Sequence, residues 1–465
     1  MAELADLTNS DLRLGGVACR KLRFLIHRCQ RTLVAVPGHG VPILHHLLPL
    51  TVRLKGVLDA LLTLSDRLRL SDAQIQQSHL HRDGSVGFLD TSQPNMLDSY
   101  QTSLSALQAS LRSTQSGLQD AEEAVAMSII LLIFGFPGDR IWPVHLNGLI
   151  ALIQDPDVPA LTSPGLSSLA SHFAAHADIK AFSLGRSGAS QRLWLNWRMH
   201  PLEQNLYSEI EAIHLSEFEI STGYPPSLVT VMAVISALIE DVQAGRPLQG
   251  AIDLYLGNPP HNQQKIYHPL SDGASERSPK STSSDSHANT ILEAELMIAQ
   301  WRPPHHVEAL PLKISMALTT AWAVMKKAAF IYLWRRGFNT DMRAALPPEE
   351  KGRIGQCLRE ALAETELVLQ AAEKDNIMVA NAMLWPLTVL GNECLWYPNL
   401  QARVLQYFQR LNNHCPIHHS YIVTALLQKL WKAAEETPGE PDSLPFGVLN
   451  LQHLAQQDDA CIPLL

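Results

Sequence analysis

Histidines are the residues of this chain whose types and spacing could support metal chemistry. His172 and His176 lie four residues apart, which places both imidazoles on one face of a helix, as zinc ligands often are. The stretch from His414 to His419 (HCPIHH) brings three imidazoles close to the Cys415 thiol. The first pair lacks the Glu of an H-E-x-x-H motif, and the second stretch has one cysteine and a proline-broken backbone. We therefore expect surface and capping histidines at both places, and no metal site.

Other patterns with catalytic or ligand-binding chemistry are also missing from the sequence. For the pairs His45-His46 and His305-His306 we expect no acidic or cysteine companion, and therefore no metal. Asp458-Asp459 is the only adjacent aspartate pair, so no aspartate-rich magnesium box is visible. Neither a G-x-x-x-x-G-K-[ST] loop nor a G-x-G-x-x-G turn occurs. We predict no catalytic residue, no cofactor and no metal in this chain, and hence no enzyme.

Composition indicates a compact folded protein with weak attraction to nucleic acid. Apolar residues make up 46% and charged residues 17%, against roughly 25% charged in an ordinary soluble domain. The net charge of −9 disfavours broad attraction to phosphates. Basic residues gather at Arg20, Lys21, Arg23, Arg28 and Arg31, which we interpret as a solvated helix face. Any contact with DNA would then need a local patch or another chain.

Cysteine usage and hydropathy predict the compartment. The six cysteines lack the dense spacing of a secreted disulfide framework, which favours a reducing compartment. The longest apolar run, residues 124–136 (AVAMSIILLIFGF), is shorter than the roughly 20 residues that cross a bilayer. We predict a buried helix there. The N-terminus carries acidic residues where a signal peptide carries basic ones, so we expect no membrane partner.

Hydrophobic periodicity predicts the fold class. Apolar residues recur at three- and four-residue spacing, whereas strictly alternating stretches of strand length are scarce. This pattern predicts an all-α fold, a large multi-helix bundle that forms essentially one domain. The clearest predicted helices are 41–68, 97–118, 121–134, 226–242, 291–301, 310–334 and 349–372.

Composition shifts divide the chain into five segments. These are an N-terminal tail (1–19), a first helical part (20–268), a disordered Ser-rich insertion (269–288), a second helical part (289–434) and an acidic and hydrophobic tail (435–465). The insertion has too few bulky apolar residues to order itself. Its Ser278-Pro279 step is either a phosphorylation site or part of a tolerated surface loop. The tail is either an activation segment or a frayed terminus with one docking helix.

Two motifs that each contain Trp-Pro carry a resemblance to a known family. They lie in residues 141–150 (IWPVHLNGLI) and 384–394 (LWPLTVLGNEC). Their defining residues are Trp142, Pro143, His145, Leu146, Gly148, Trp385, Pro386, Gly391 and Cys394. They resemble the W-P-x-H-L-x-G and W-P-L-x-x-x-G-x-E-[AC] signatures of the fungal-specific transcription factor domain. Residues 220–229 and 329–335 are similar to further family segments, so the likeness runs from about residue 20 to about residue 435.

The motif residues have chemistry that suits structural roles. Proline is accommodated at the first position of a helix, because the N–H that it lacks would be unpaired there. The indoles of Trp142 and Trp385 would then hold the first turns of their two helices in place. Glycine in a helix is less favourable than alanine by about 1 kcal/mol unless another helix approaches closely. Gly148 and Gly391 therefore predict close packing.

The resemblance implies a transcriptional regulator of metabolic or secondary-metabolite genes read by RNA polymerase II. It implies a nuclear location, with the cytoplasm as the alternative. The family's zinc cluster needs cysteine pairs, whereas only Cys19 and Cys29 lie near the N-terminus. We therefore expect protein partners, either a DNA-binding transcription factor or a second copy, with DNA reached indirectly or through a missing N-terminal module. A small-molecule effector stays open.

Two alternatives come from other functional classes. One is a helical small-molecule-binding protein or biosynthetic enzyme, and the other is a helical adaptor unconnected with transcription. Carboxylates or histidines that converge in a closed cavity would favour the enzyme. An apolar cavity would favour sensing or a plain core.

Overall fold

The computed structural model describes residues 16–35, 39, 41–80, 94–113, 117–136, 141–158, 164–198, 215–246, 283–338, 347–375, 377–414, 418–436 and 450–464. Over these residues the chain is all-α apart from one two-stranded sheet, as its periodicity predicts.

Ten helices form in the first part of the described chain. They are α1 (Gly16–Thr32), α2 (Pro42–Leu47), α3 (Lys55–Leu80), α4 (Pro94–Ser113), α5 (Leu118–Gly135), α6 (Trp142–Gln154), α7 (Pro164–Asp178), α8 (Leu193–Arg198), α9 (Glu217–Thr222) and α10 (Pro226–Gln243). The helix predicted over 41–68 is divided in two, because a 3₁₀ turn at Pro49–Val52 separates α2 from α3. Pro49 cannot donate the backbone hydrogen bond that would continue α2.

Seven helices follow in the second part. They are α11 (Ser283–Gln300), α12 (Leu312–Trp334), α13 (Pro348–Asp375), α14 (Leu384–Glu393), α15 (Pro398–His414), α16 (His418–Glu436) and α17 (Leu451–Gln457). Helix α11 begins at Ser283, so it shares residues 283–288 with the predicted insertion. The rest of that insertion, including Ser278, lies outside the described residues.

Two clusters of buried side chains hold these helices together. One is built mainly by α1–α7 and the other mainly by α10 and α12–α16. The apolar run is the centre of the first cluster, since residues 124–135 of α5 are all buried, as predicted. Helices α10 and α12 are also apolar and long enough to cross a membrane. Both belong to the second cluster, and 72% of the apolar window of α10 is buried inside the protein.

The C-terminal segment docks onto the first half of the chain. Strand β1 (Ser183–Leu184) pairs antiparallel with β2 (Ile462–Pro463). Gly185 follows β1 with φ +73°, and a Cβ there would lie 1.9 Å from the carbonyl oxygen of Ala460. Only glycine fits this close approach. Within residues 450–464 the tail thus contains a docked helix; residues 437–449 lie outside the described part.

The basic stretch at the N-terminus is only in part a solvated face. Lys21 pairs with Asp66 at 2.5 Å, and the buried Arg28 pairs with Asp72 at 2.8 Å. Both aspartates lie on α3, which packs along α1. The interpretation as a solvated face was therefore wrong for these two residues, because their partners come from a helix about 45 residues away.

Candidate functional site

The first Trp-Pro motif anchors the C-terminal segment. Trp142 is the first residue of α6 and is fully buried. Its indole N–H donates to the carbonyl oxygen of Cys461 at 2.9 Å, a residue 319 positions further along the chain. Pro143 follows as the second residue of the helix, one position later than predicted. The Trp142 indole therefore connects the first residue of α6 to the C-terminal segment.

The second motif makes the equivalent contact in the other half. The Trp385 indole N–H donates to the carbonyl oxygen of Ala181 at 2.7 Å. Trp385 is the second residue of α14 and Pro386 the third, because a 3₁₀ turn (Met378–Met383) leads directly into the helix. The expectation of proline at the first position was wrong by two residues. Proline is tolerated there because the first four N–H groups of a helix have no intrahelical acceptor.

The two motif glycines differ in their surroundings. A Cβ on Gly391 would lie 2.6 Å from a methyl carbon of Leu427 on α16, so the close packing predicted there is confirmed. At Gly148 no heavy atom lies within 4 Å of a Cβ, and the residue is exposed. The prediction of close packing at Gly148 was wrong, because this face of α6 is exposed to solvent.

The remaining motif residues are buried structural groups. His145 contacts the Tyr100 hydroxyl at 2.8 Å through Nε2, and burial lowers the pKa of His145 to about 4. Leu146 is fully buried in the first core cluster. Cys394 is also buried, and desolvation raises the pKa of its thiol. No two of the five described cysteines form a disulfide bond with each other.

A buried ion pair connects the second motif to the family segment 329–335, and this pairing was not predicted. The Arg335 guanidinium donates to both carboxylate oxygens of Glu393, at 2.7 and 2.6 Å. The two side chains are 2% and 1% exposed. They join the end of α12 to the end of α14. Both residues lie in segments that resemble the family, but the sequence gives no signal that they pair, because 58 residues separate them.

A cavity of about 340 Å³ lies between α1, α7, α9 and α16. Four histidines contribute to its lining, namely His172, His176, His418 and His419. The structure thus brings together the two histidine groups that the sequence singled out separately. Three of the four are buried, so the expectation of surface and capping histidines was wrong for His176, His418 and His419. His414 lies elsewhere, at the end of α15, and Cys415 lies outside the described residues.

Burial keeps three of these imidazoles neutral. Desolvation lowers the pKa of His176 to about 3, of His418 to about 4 and of His419 to about 3. The Nε2 of His419 contacts the carbonyl oxygen of Phe136, which can only accept. That nitrogen must therefore carry the proton, and Nδ1 of the same ring is an acceptor.

Several imidazole nitrogens in the cavity wall are unsatisfied. Within the described residues, Nε2 of His176, both ring nitrogens of His418 and Nδ1 of His419 have no hydrogen-bond partner. A buried polar group left unsatisfied costs about 1–3 kcal/mol. The four nitrogens are themselves buried, so this cost is a property of the core beside the cavity.

The rim of the cavity holds a second polar cluster. Nε2 of His46 lies 2.7 Å from a carboxylate oxygen of Glu217, and this hydrogen bond lowers the pKa of Glu217. Ligand atoms of His45, His46 and Glu217 all lie within 4.8 Å of one another. Glu217 lines the cavity and its side chain is 53% exposed.

The expectation that these histidine pairs lack acidic companions was wrong. His46 has Glu217 from α9, which packs against α2. His306 lies 3.0 Å from Glu219, and His305 lies 3.8 Å from Glu308. The carboxylates of Glu217 and Glu219 come from a distant part of the sequence, whereas Glu308 follows His305 by three residues.

Comparison with known proteins places the chain in a family. The model of the fungal specific transcription factor domain matches residues 24–443, which is most of the 465-residue chain and includes both Trp-Pro motifs. The chain belongs to the fungal-specific transcription factor domain family. No curated protein and no solved structure matches it.

The cavity lies within the matched part of this fungal-specific transcription factor domain, and most of its wall was not predicted. Arg28, Ser216 and Phe218 are lining residues that the sequence does not distinguish from ordinary amphipathic helix positions. Two patterns gave a signal, namely the helical spacing of His172 and His176 and the histidine-rich stretch from His414 to His419. The first predicted a shared helix face, which is confirmed, but neither predicted what its residues contact.

Proposed function

We propose that this chain is a nuclear regulator of metabolic or secondary-metabolite genes transcribed by RNA polymerase II. The single observation that carries the proposal is the family match over residues 24–443, which indicates a transcription regulator. The target genes and the nuclear location follow from the family and are part of the proposal.

The regulator acts through protein contacts. Its net charge of −9 works against direct attraction to the phosphate backbone. Within residues 1–465, Cys19 and Cys29 lack the paired spacing of a zinc cluster, so these residues reach DNA through a partner or through an N-terminal module outside them. The partner is a DNA-binding transcription factor of the zinc-cluster type or a second copy of this chain.

Chromatin immunoprecipitation of the tagged chain tests the proposal. We expect enrichment at a set of promoters that disappears when the zinc-cluster partner is deleted, together with altered transcripts when this chain is deleted. A Trp385→Phe variant serves as a destabilised comparison and a His453→Phe variant as a matched surface control. Exclusion of the tagged chain from the nucleus, with unchanged transcripts on deletion, would favour the adaptor function instead.

The cavity supports a second candidate function in small-molecule binding. Four histidines and Glu217 converge on it, which is the arrangement that an enzyme would also need. An efficient general base has a pKa near the working pH. The pKa values of about 3 to 4 for three of the histidines are too low for that task near neutral pH. This supports binding over acid–base catalysis.

A further inference from the structure

We propose that His45, His46 and Glu217 bind one zinc ion where α2 meets α9. The inference goes beyond the regulatory function proposed above, and it stands or falls separately because metal binding is measured on the purified chain. The sequence alone predicted no metal at His45-His46, since no acidic companion was visible there. The fold supplies that companion, Glu217, from 171 positions further along the chain than His46.

The three ligand atoms already lie close to one another. Each of the two histidines offers one ring nitrogen and Glu217 offers one carboxylate oxygen, and all three atoms lie within 4.8 Å of one another. Nε2 of His46 and Oε2 of Glu217 are 2.7 Å apart. Ligand atoms that are about 2.0–2.2 Å from a tetrahedral zinc ion lie roughly 3.3–3.6 Å from each other. Small side-chain rotations therefore bring the set to the spacing of a zinc site.

The start of α9 holds the backbone of Glu217 in place. The Ser216 hydroxyl accepts from the backbone N–H of Glu219 at 3.2 Å, and the Glu219 carboxylate accepts from the backbone N–H of Ser216 at 3.0 Å. This capping box fixes the chain on both sides of Glu217. The Glu217 side chain is 53% exposed, so it can turn toward an ion while its backbone stays fixed.

The packing of α7 orients the His46 ring. Gly165 is the second residue of α7, which packs against α2. A Cβ on Gly165 would lie 2.4 Å from Cε1 and 2.7 Å from Nδ1 of His46, so only a residue without a side chain lets the ring lie there. Nε2 of the same ring contacts Glu217. The fold thus presents His46 to the site in a fixed orientation, as a metal ligand requires.

The chemistry of the donor set favours zinc. Two histidines and one glutamate, with water in the fourth position, form a set that zinc uses in proteins. Imidazole nitrogens also suit other transition metals, whereas Mg²⁺ and Ca²⁺ prefer oxygen ligands alone. His45 and Glu217 are exposed, so solvent can reach the fourth position. The ion takes the place of the proton that Nε2 of His46 shares with the carboxylate, since metal ligands must be deprotonated.

Isothermal titration calorimetry with Zn²⁺ tests the proposal on the purified full-length chain at pH 7.5. The affinity tag is removed, the chain is treated with a chelator beforehand, and Mg²⁺ is present in excess. We expect saturable binding of one zinc ion per chain. X-ray absorption at the zinc edge then identifies the ligands, which should be nitrogen and oxygen atoms at about 2.0–2.2 Å, without a sulfur atom at about 2.3 Å.

Three ligand variants locate the site. His45→Phe and His46→Phe keep a ring but lose its nitrogens, and Glu217→Gln keeps the shape but loses the charge. Each should weaken zinc binding by at least about tenfold, because even the outer partners of zinc ligands are worth about 10–100-fold in affinity. His305→Phe is the matched control and should leave the affinity unchanged. His305 also belongs to an adjacent histidine pair and lies 3.8 Å from Glu308, but within the described residues it is in no group of three ligands.

A pair of glycine variants tests the orientation of His46 without removing a ligand. Gly165→Ala displaces the His46 ring and should weaken zinc binding by on the order of tenfold. Gly148→Ala, whose Cβ would meet no atom, should bind zinc as the unmodified chain does. Thermal unfolding of every variant without zinc checks that it is folded.

Three outcomes would overturn the proposal, and two of them are read on the unmodified chain. These two are the lack of saturable zinc binding and a sulfur atom among the zinc ligands, which would indicate a cysteine site. The third is unmodified affinity in any one of the three ligand variants. A chain that binds no zinc would leave the contact between His46 and Glu217 as a structural link between α2 and α9.

Discussion

At the scale of single residues, buried indole N–H groups connect distant parts of the chain through backbone carbonyl oxygens. Trp142 and Trp385 do so in the two motifs, and Trp322 donates to the carbonyl oxygen of Gly223 at 2.6 Å. Each indole supplies a large apolar surface and a single donor that burial forces to find an acceptor. The tryptophans are therefore specific connections as well as core filling.

Replacing Trp142 by phenylalanine should destabilise the protein. The hydrogen bond from the indole to the carbonyl oxygen of Cys461 is lost, which costs about 0.5–1.5 kcal/mol, and lost packing adds to this. Urea unfolding measures the change. Trp301→Phe is the matched control, because its indole bonds to Ser227 at an exposed site. Equal losses in the two variants would contradict the role given to the Trp142 connection.

Replacing Glu393 by glutamine should have a still larger effect. It leaves the buried Arg335 charge uncompensated, and breaking a buried pair in this way costs about 3–5 kcal/mol. Asp375→Asn is the control, since it breaks the exposed pair with Lys313 and should cost less than about 1 kcal/mol. Chemical unfolding of both variants under identical conditions gives the difference. A loss at Glu393 no larger than the control would refute the prediction.

At the scale of elements, glycine has different packing roles in two helices, α6 and α14. Gly391 lets α14 approach α16 closely, whereas Gly148 lies on the outer face of α6. The sequence motifs alone do not distinguish the two, because both glycines sit within apolar helical patterns. What differs is whether a neighbouring helix crosses at that position.

Alanine substitution should therefore change stability in opposite directions. Gly391→Ala forces Leu427 to move and should destabilise by about 1–3 kcal/mol. Gly148→Ala meets no atom and should stabilise by up to about 1 kcal/mol, through the better helix propensity of alanine. Thermal unfolding of the two variants provides the measurement. Destabilisation by both would show that α6 is packed on a partner at this face.

At the scale of the whole molecule, the two halves of the chain interlock. Trp142 in the first half contacts Cys461 at the far end, Trp385 contacts Ala181, and His419 contacts Phe136. The cavity lies where these halves meet, with α1, α7 and α9 on one side and α16 on the other. A ligand there would contact both halves and stabilise their association.

Stability should decrease as the pH falls below 6.5. His145, His176, His418 and His419 have pKa values lowered from 6.5 to about 3–4 by burial. Between these pH values the unfolded chain binds more protons than the folded chain. The free energy of unfolding therefore falls by at most about 1.4 kcal/mol per pH unit for each histidine.

Urea unfolding between pH 7 and pH 5 measures this slope. His145→Gln keeps a hydrogen-bonding side chain for Tyr100 but does not titrate, so its slope should be shallower. His453→Gln, at an exposed position, should leave the slope unchanged. A slope for His145→Gln equal to that of the unmodified chain would count against a neutral buried His145.

The sequence by itself determined the fold class and the family. Helical periodicity and the Trp-Pro motifs are local patterns, each readable within a dozen residues, and α5 and the family match confirm them. Only the tertiary structure decided which residues form the cavity. His176 and His418 are more than 200 positions apart and are brought together by the packing of α7 and α16, which no local pattern encodes. The sequence could not identify the partners of Arg28, His46 and Arg335 for the same physical reason. Each of these residues pairs with a carboxylate on another helix that is far away in the sequence.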